Sequence, residues 1–157
     1  TFGMTNSEMQ DFIQNGRINA GDSKEEAELK KRRLALSEKL AQESDAVLNH
    51  VFGMPKFPRF KDIQSTVDLS AKKTAAWAAL RRFDAERAAN RYGLSPSDKA
   101  AYMEYIDTLI SAQADFDSVL ARRAGNPDFD GMDVFRDNKA HLQRVENFIA
   151  SLESEFF

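Results

Sequence analysis

The residues best suited to chemistry in this chain are sparse. It has two histidines, His50 and His141, and no cysteine. Without cysteine there is no disulfide frame, no thiolate nucleophile and no thiolate metal site. A helical di-iron centre needs glutamate three residues before histidine, so that both ligands leave one helix face. Those positions hold Val47 and Asn138. His50 falls in the last turn of a predicted helix, where a cation complements the negative end of the dipole. His141 sits beside an apolar stripe. Both are expected to be structural or surface residues. No nucleophile–histidine pair is marked by spacing, so the sequence names no catalytic residue, no metal ligand and no cofactor.

Two loops imitate binding motifs. Residues from Gly16 to Ser23 have the spacing of a phosphate-binding P-loop, but Asp22 stands where the lysine must be, and an acid there repels phosphate. Residues 126–137 place Asn126, Asp128 and Asp130 at positions 1, 3 and 5 of an EF-hand loop, with Gly131 at position 6. The last ligand is the short Asp137, however, and Asp133 occupies a position that should be apolar. The loop reads as a turn in which Asp130 caps the following helix, and calcium is not expected.

The cationic clusters do not form a stripe. Lys30, Lys31, Arg32 and Arg33 are consecutive and so spread around a helix. Glu26 and Glu28 lie four residues before Lys30 and Arg32, a spacing that predicts surface ion pairs. Arg82 falls on the opposite helix side from Arg87 and Arg91, which disfavours nucleic acid and predicts snorkelling at a crowded helix rim. The segment from Phe52 to Lys61 is different. Basic and aromatic residues alternate there around Pro55 and Pro58, a composition fit to grip a partner. Phe57, Arg59, Phe60 and Lys61 are the expected partner-binding residues. The competing expectation is that Phe57 and Phe60 fold back and plug the end of the molecule.

These residues must be positioned by helices. Seven glycines and four prolines in 157 residues are few, and twelve phenylalanines are many. Capping boxes at Thr5/Glu8 and Ser23/Glu26, and a Ser95–Pro96 start, mark helix beginnings. Gly16, Gly53, Gly93 and Gly125 mark ends. The punctuation predicts a single domain over 1–157: an arm with a short helix over 1–22, then long helices over 23–52, 70–92, 95–124 and 130–156. Residues 53–69 form the one long loop.

Apolar residues repeat at steps of three and four in each helix, the pattern of a buried face. The last carries Phe135, Asn138, Leu142, Val145, Ile149, Leu152 and Phe156, widened by Phe148; Asn138 is expected to be buried and hydrogen-bonded. The 95–124 helix carries Tyr102, Ile106, Leu109, Gln113, Phe116 and Leu120, flanked by Met103, Ile110 and Val119. The 23–52 helix has two stripes, Leu29, Leu36, Leu40, Val47 and Val51, then Leu34, Ala41, Leu48 and Phe52. The 70–92 helix, apolar nearly all round, is expected to be the most enclosed. The expected fold is all-α, an elongated antiparallel four-helix bundle with a short additional N-terminal helix.

Net charge is −3, so no global field attracts polyanions. No apolar run reaches the roughly 18–20 residues of a bilayer-spanning helix. The chain starts at Thr1 rather than methionine, which predicts a processed chain or an excised piece, and the compartment stays open. The expected function is a non-enzymatic interaction or structural module presenting a surface to a protein partner, self-association included. The alternative is a ligand-, lipid- or nucleic-acid-binding domain that uses the 53–69 loop and nearby arginines.

Overall fold

A computed structural model describes residues 22–123 and 131–157, with side chains from 139 onward in the last helix. The expected N-terminal helix, the Gly16–Gly21 turn, the 124–130 turn and the side chain of Asn138 lie outside the described residues. Among those described, all regular structure is helical: α1 Lys24–Phe52, α2 Phe60–Arg91, α3 Pro96–Arg123 and α4 Gly131–Phe156. The chain is all-α.

Local chemistry explains most boundaries. Ser23 Oγ accepts the Glu26 amide at 3.1 Å, and Ser95 Oγ accepts the Asp98 amide at 3.1 Å, each satisfying a free amide of a first turn. Glu26 does not close the predicted box; its carboxylate accepts from Arg87 on α2 at 2.6 Å. Gly53 ends α1 at an ordinary φ of −89. What it needs is room, since a Cβ there would stand 3.2 Å from the Asn49 carbonyl. Gly93 ends α2 at φ 67, the left-handed conformation that glycine adopts without strain.

One boundary differs from expectation. The connection between α1 and α2 is residues 53–59, not 53–69, because α2 starts ten residues earlier than Ser70. Its first turn is capped from within: the Asp62 carboxylate accepts the Arg59 backbone N–H at 2.9 Å. An acid at the third helical position also suits the dipole. Pro58, which carries no N–H and disfavours helix in the residue before it, lies just outside.

Extensive packing joins helices adjacent in the chain: α1 to α2, α2 to α3, and α3 to α4. The start of α1 lies against the end of α2, where Arg33 grips Asp84 at 2.9 and 3.2 Å. The end of α1 meets the start of α2, where His50 Nε2 is 3.0 Å from the Asp62 carbonyl oxygen. Arg82 pairs with Asp107 at 2.6 Å, and Thr74 with Asp117 at 2.6 Å, which sets the register of α2 on α3.

The core belongs to α2, α3 and α4. Trp77, Ala78, Ala85 and Ala89 of α2 meet Tyr102, Ile106 and Ile110 of α3 and Val145, Ile149 and Leu152 of α4. Small alanines let α2 approach its neighbours closely, and α2 is the enclosed helix, as its all-round apolar pattern predicts. α1 is peripheral. Its only buried residue is Lys30, held by Asp22 at 2.8 Å. Its first stripe is half-buried, whereas Leu34, Ala41 and Phe52 of the second are exposed. Phe148, expected to widen the core face of α4, is 60% exposed, as is much of Val119. These two sit at the edges of their stripes, beyond the reach of a neighbouring helix.

Candidate functional site

The α1–α2 connection is a tip built on two long helices. Inside it, Thr66 is buried and its hydroxyl donates to the Asp62 carbonyl at 2.9 Å, with the Met54 sulfur 3.3 Å away. Met54 and Pro58 are half-buried. Met54 is therefore the residue that folds back, its flexible thioether filling an irregular gap. The rings do not. Phe52 is 59% exposed, Phe57 72% and Phe60 80%. The expectation that Phe57 and Phe60 plug the end is overturned.

The tip is cationic. From His50 to Lys61 the chain contains no acid. Lys56, Arg59 and Lys61 are exposed, and none makes an ion pair among the described residues. Lys56 Nζ lies 5.9 Å from the Phe57 ring centre, at the outer limit of a cation–π contact. Asp62, the next acid, is engaged by the Arg59 amide. Following the α2–α3 register set by Arg82–Asp107 and Thr74–Asp117, Arg123 comes level with Asp68. The first two turns of α2 thus reach past the last described turn of α3. All four expected contact residues lie on this tip; Phe52 and Lys56 belong with them. Phe52, which opens the expected segment, also fits a core stripe of its helix, and its exposure decides between the two.

The arginines of α2 are used differently. Arg81, Arg82 and Arg87 reach Glu146 on α4, Asp107 on α3 and Glu26 on α1 at 2.9, 2.6 and 2.6 Å. They tie one helix to three others. Nor do Glu26 and Glu28 pair along their own helix with Lys30 and Arg32: Glu26 serves Arg87, Glu28 reaches Lys31 at 3.8 Å, and Arg32 lies over the Phe83 ring at 5.3 Å. Of these acids only Glu26 is drawn to another helix, where it meets the largely buried Arg87.

A second cluster is buried. Asp117 Oδ2 accepts the Thr74 hydroxyl at 2.6 Å, and Asp117 Oδ1 accepts from Gln113 Nε2 at 2.8 Å. Gln113 Oε1 in turn accepts from His141 Nδ1 at 2.7 Å, and the imidazole stacks on Phe116 at 3.9 Å. Burial lowers the pKa of Lys73 beside this chain, against the opposing pull of Asp117. Burial also lowers His141, helped by Arg144 and opposed by Asp117. The chain of groups has the residue types of a proton relay. Both carboxylate oxygens are held by donors, however, and the clefts between α1 and α2 do not reach it. It joins three helices and acts as a clamp. Gln113 inside an apolar stripe was its sequence signal; Thr74 and Asp117 carried none, because their meeting depends on how α2 packs on α3.

Elsewhere, Tyr102 is buried with its hydroxyl 3.4 Å from Glu153. Its pKa is pushed up to about 12 by burial and by that carboxylate, so it is a neutral core phenol. A cleft of about 1220 Å³ between the start of α1 and the end of α2 is lined by both signs of charge, including Glu25, Arg32, Asp84 and Arg87. Among the described residues no group of three or more His, Asp or Glu is placed to hold a metal ion, and no helix is long and apolar enough to cross a membrane. No family model, no curated protein and no solved structure matches this chain.

Proposed function

We propose that this chain is a non-enzymatic interaction module: an elongated, antiparallel arrangement of four helices that presents the Phe52–Lys61 tip to a protein partner. One observation carries the reading. Three phenylalanines within nine residues are exposed while the core is filled by other side chains. Aromatic and arginine side chains are the usual energetic anchors of interfaces, because they bury much area around a directional polar group. The opposed ends of successive helices, as in Glu26–Arg87 and His50–Asp62, favour the antiparallel arrangement. Such an arrangement seats the tip between two long helices, which lowers the ordering cost of binding while they are packed together.

The test is site-specific photocrosslinking. A photoreactive phenylalanine replaces Phe57, and in a second protein it replaces Leu34, which is also exposed but lies on the flank of α1. Both are irradiated in extract of the native source. The expected result is one reproducible protein adduct from position 57, abolished by Phe52→Ala with Phe60→Ala and absent from position 34. Adducts at position 34 alone, or adducts at 57 indifferent to the alanine changes, would overturn the reading.

A further inference from the structure

We infer that the segment taken by the tip is an acidic protein segment in which Asp or Glu alternates with apolar side chains; this rests on the proposed reading of the tip as the partner-binding surface. The argument begins with charge. Lys56, Arg59 and Lys61 are exposed and no described carboxylate neutralises them. The chain as a whole carries −3. Lys56, Arg59 and Lys61 give the tip itself a local positive charge, which steers an anionic partner toward it.

The second part is the spacing of the rings. Lys56, Phe57, Arg59, Phe60 and Lys61 place each ring beside a cation in the chain, so an acid alone leaves the rings wet and an apolar segment alone leaves the cations unmatched. A complementary segment carries both. Like-charge repulsion excludes a second tip of the same kind as the occupant.

The same features argue against a lipid surface. Lipid-binding clusters carry about four to eight Lys or Arg, and the tip has fewer. Nucleic acid would need a cationic track continuing from the tip. The next cations along α2, Lys72 and Lys73, come only eleven residues after Lys61, and Arg81, Arg82 and Arg87 beyond them are engaged by carboxylates.

The experiment is selection of random displayed peptides, about 12 residues long, against the intact protein, followed by fluorescence anisotropy on the enriched sequences. Enriched peptides should interleave Asp or Glu with Leu, Ile, Val or Phe, and their affinity should fall as salt is added. Phe57→Ala with Phe60→Ala should weaken them about tenfold or more. The triple variant Lys56→Glu, Arg59→Glu, Lys61→Glu should lose them and enrich basic peptides instead. All these side chains are exposed, so unchanged melting curves verify the fold. Enrichment of neutral or basic sequences, no enrichment, or binding to phosphatidylserine vesicles in preference to peptides would overturn the inference. Apolar neutral peptides lost on the double alanine change would sink this inference while leaving the tip as the contact surface. Crosslinks independent of the tip would sink both.

Discussion

Thr74 on α2 and Asp117 on α3 meet through a 2.6 Å hydrogen bond in the interior, both side chains being buried. A bond this short to a buried carboxylate is charge-assisted, and it sits at the head of a chain that continues through Gln113 to His141 on α4. Three helices therefore share one polar seam. Such seams are costly when left half-satisfied, which makes them effective at fixing register.

The first prediction follows from that cost. Thr74→Val keeps the branched shape and removes the hydroxyl that donates to the buried Asp117 carboxylate. The expected loss is about 1–3 kcal/mol in urea unfolding. Combined with Gln113→Leu, the two losses should fail to add by more than about 0.5 kcal/mol, since both act on Asp117. Additive losses, or a neutral Thr74→Val, would show that the seam is not a coupled unit.

What could be read from the chain divides along local and non-local lines. Ser23, Gly53, Gly93, Ser95 and Pro96 marked helix ends correctly, because a cap or a stop depends on a few neighbouring residues. The start of α2 was hidden for a local reason of another kind. Its cap comes from Asp62 reaching back to Arg59, with none of the usual Ser, Thr, Asp or Asn at the cap itself. The peripheral position of α1 was hidden because both its apolar stripes look like core until it is known that, among the described helices, α2 alone packs extensively against it. At the tip, the composition of residues 57–61 was legible, but whether the rings face out or in depended on Met54 filling the gap beside Thr66.

The second prediction concerns pH. His141 has its pKa lowered in the folded protein by burial and then by Arg144, against the pull of Asp117. In the unfolded chain histidine titrates near about 6.5, so on acidification the unfolded state takes up the proton first. Stability from neutral His141 is therefore present above about pH 6.5 and is lost as pH falls from there through the folded pKa. Comparing melting temperatures of wild type and His141→Gln isolates this contribution. The wild type should be the more stable at about pH 7.5, and the gap should narrow by about pH 5.5. A constant gap would show that His141 does not titrate in this window.

The third prediction separates the rings of the tip from the rings of the core. Phe57→Ala with Phe60→Ala removes side chains that are mostly in water, and surface changes of this kind usually alter stability by no more than about 0.5 kcal/mol each. Truncating a buried phenylalanine costs about 3–5 kcal/mol. Thermal unfolding followed by circular dichroism distinguishes these outcomes. A loss in the larger range would mean that the rings plug the end after all, and the tip would no longer be a free contact surface.

The last prediction is that α1 opens without the rest of the molecule. Its only buried residue is Lys30, and among the described helices its extensive packing is against α2 alone. The polar ties between them include Arg33–Asp84, Arg87–Glu26, Arg32 over the Phe83 ring and the contact of His50 with the Asp62 carbonyl. Partly exposed ion pairs contribute only about 0–1 kcal/mol each. By contrast, α2, α3 and α4 share Trp77, Tyr102, Ile106 and Ile149 in one buried cluster. Amides of α1 should therefore exchange with solvent through a low-energy sub-global opening, while those in the middle of α2 and α3 exchange only near the global unfolding free energy. Leu40, the α1 residue packed against the core cluster, supplies the control. Leu40→Ala should accelerate exchange in α1 while leaving α2 and α3 protected. Ile106→Ala, at a cost of about 2–5 kcal/mol, should accelerate exchange in α2 and α3 together. Hydrogen exchange read by mass spectrometry resolves the helices as separate peptides. Equal protection of α1 and α3, or acceleration of all four helices by Leu40→Ala, would show one cooperative unit. The tip would then stay assembled until the whole protein unfolds, rather than coming apart whenever α1 carries Phe52 away from α2.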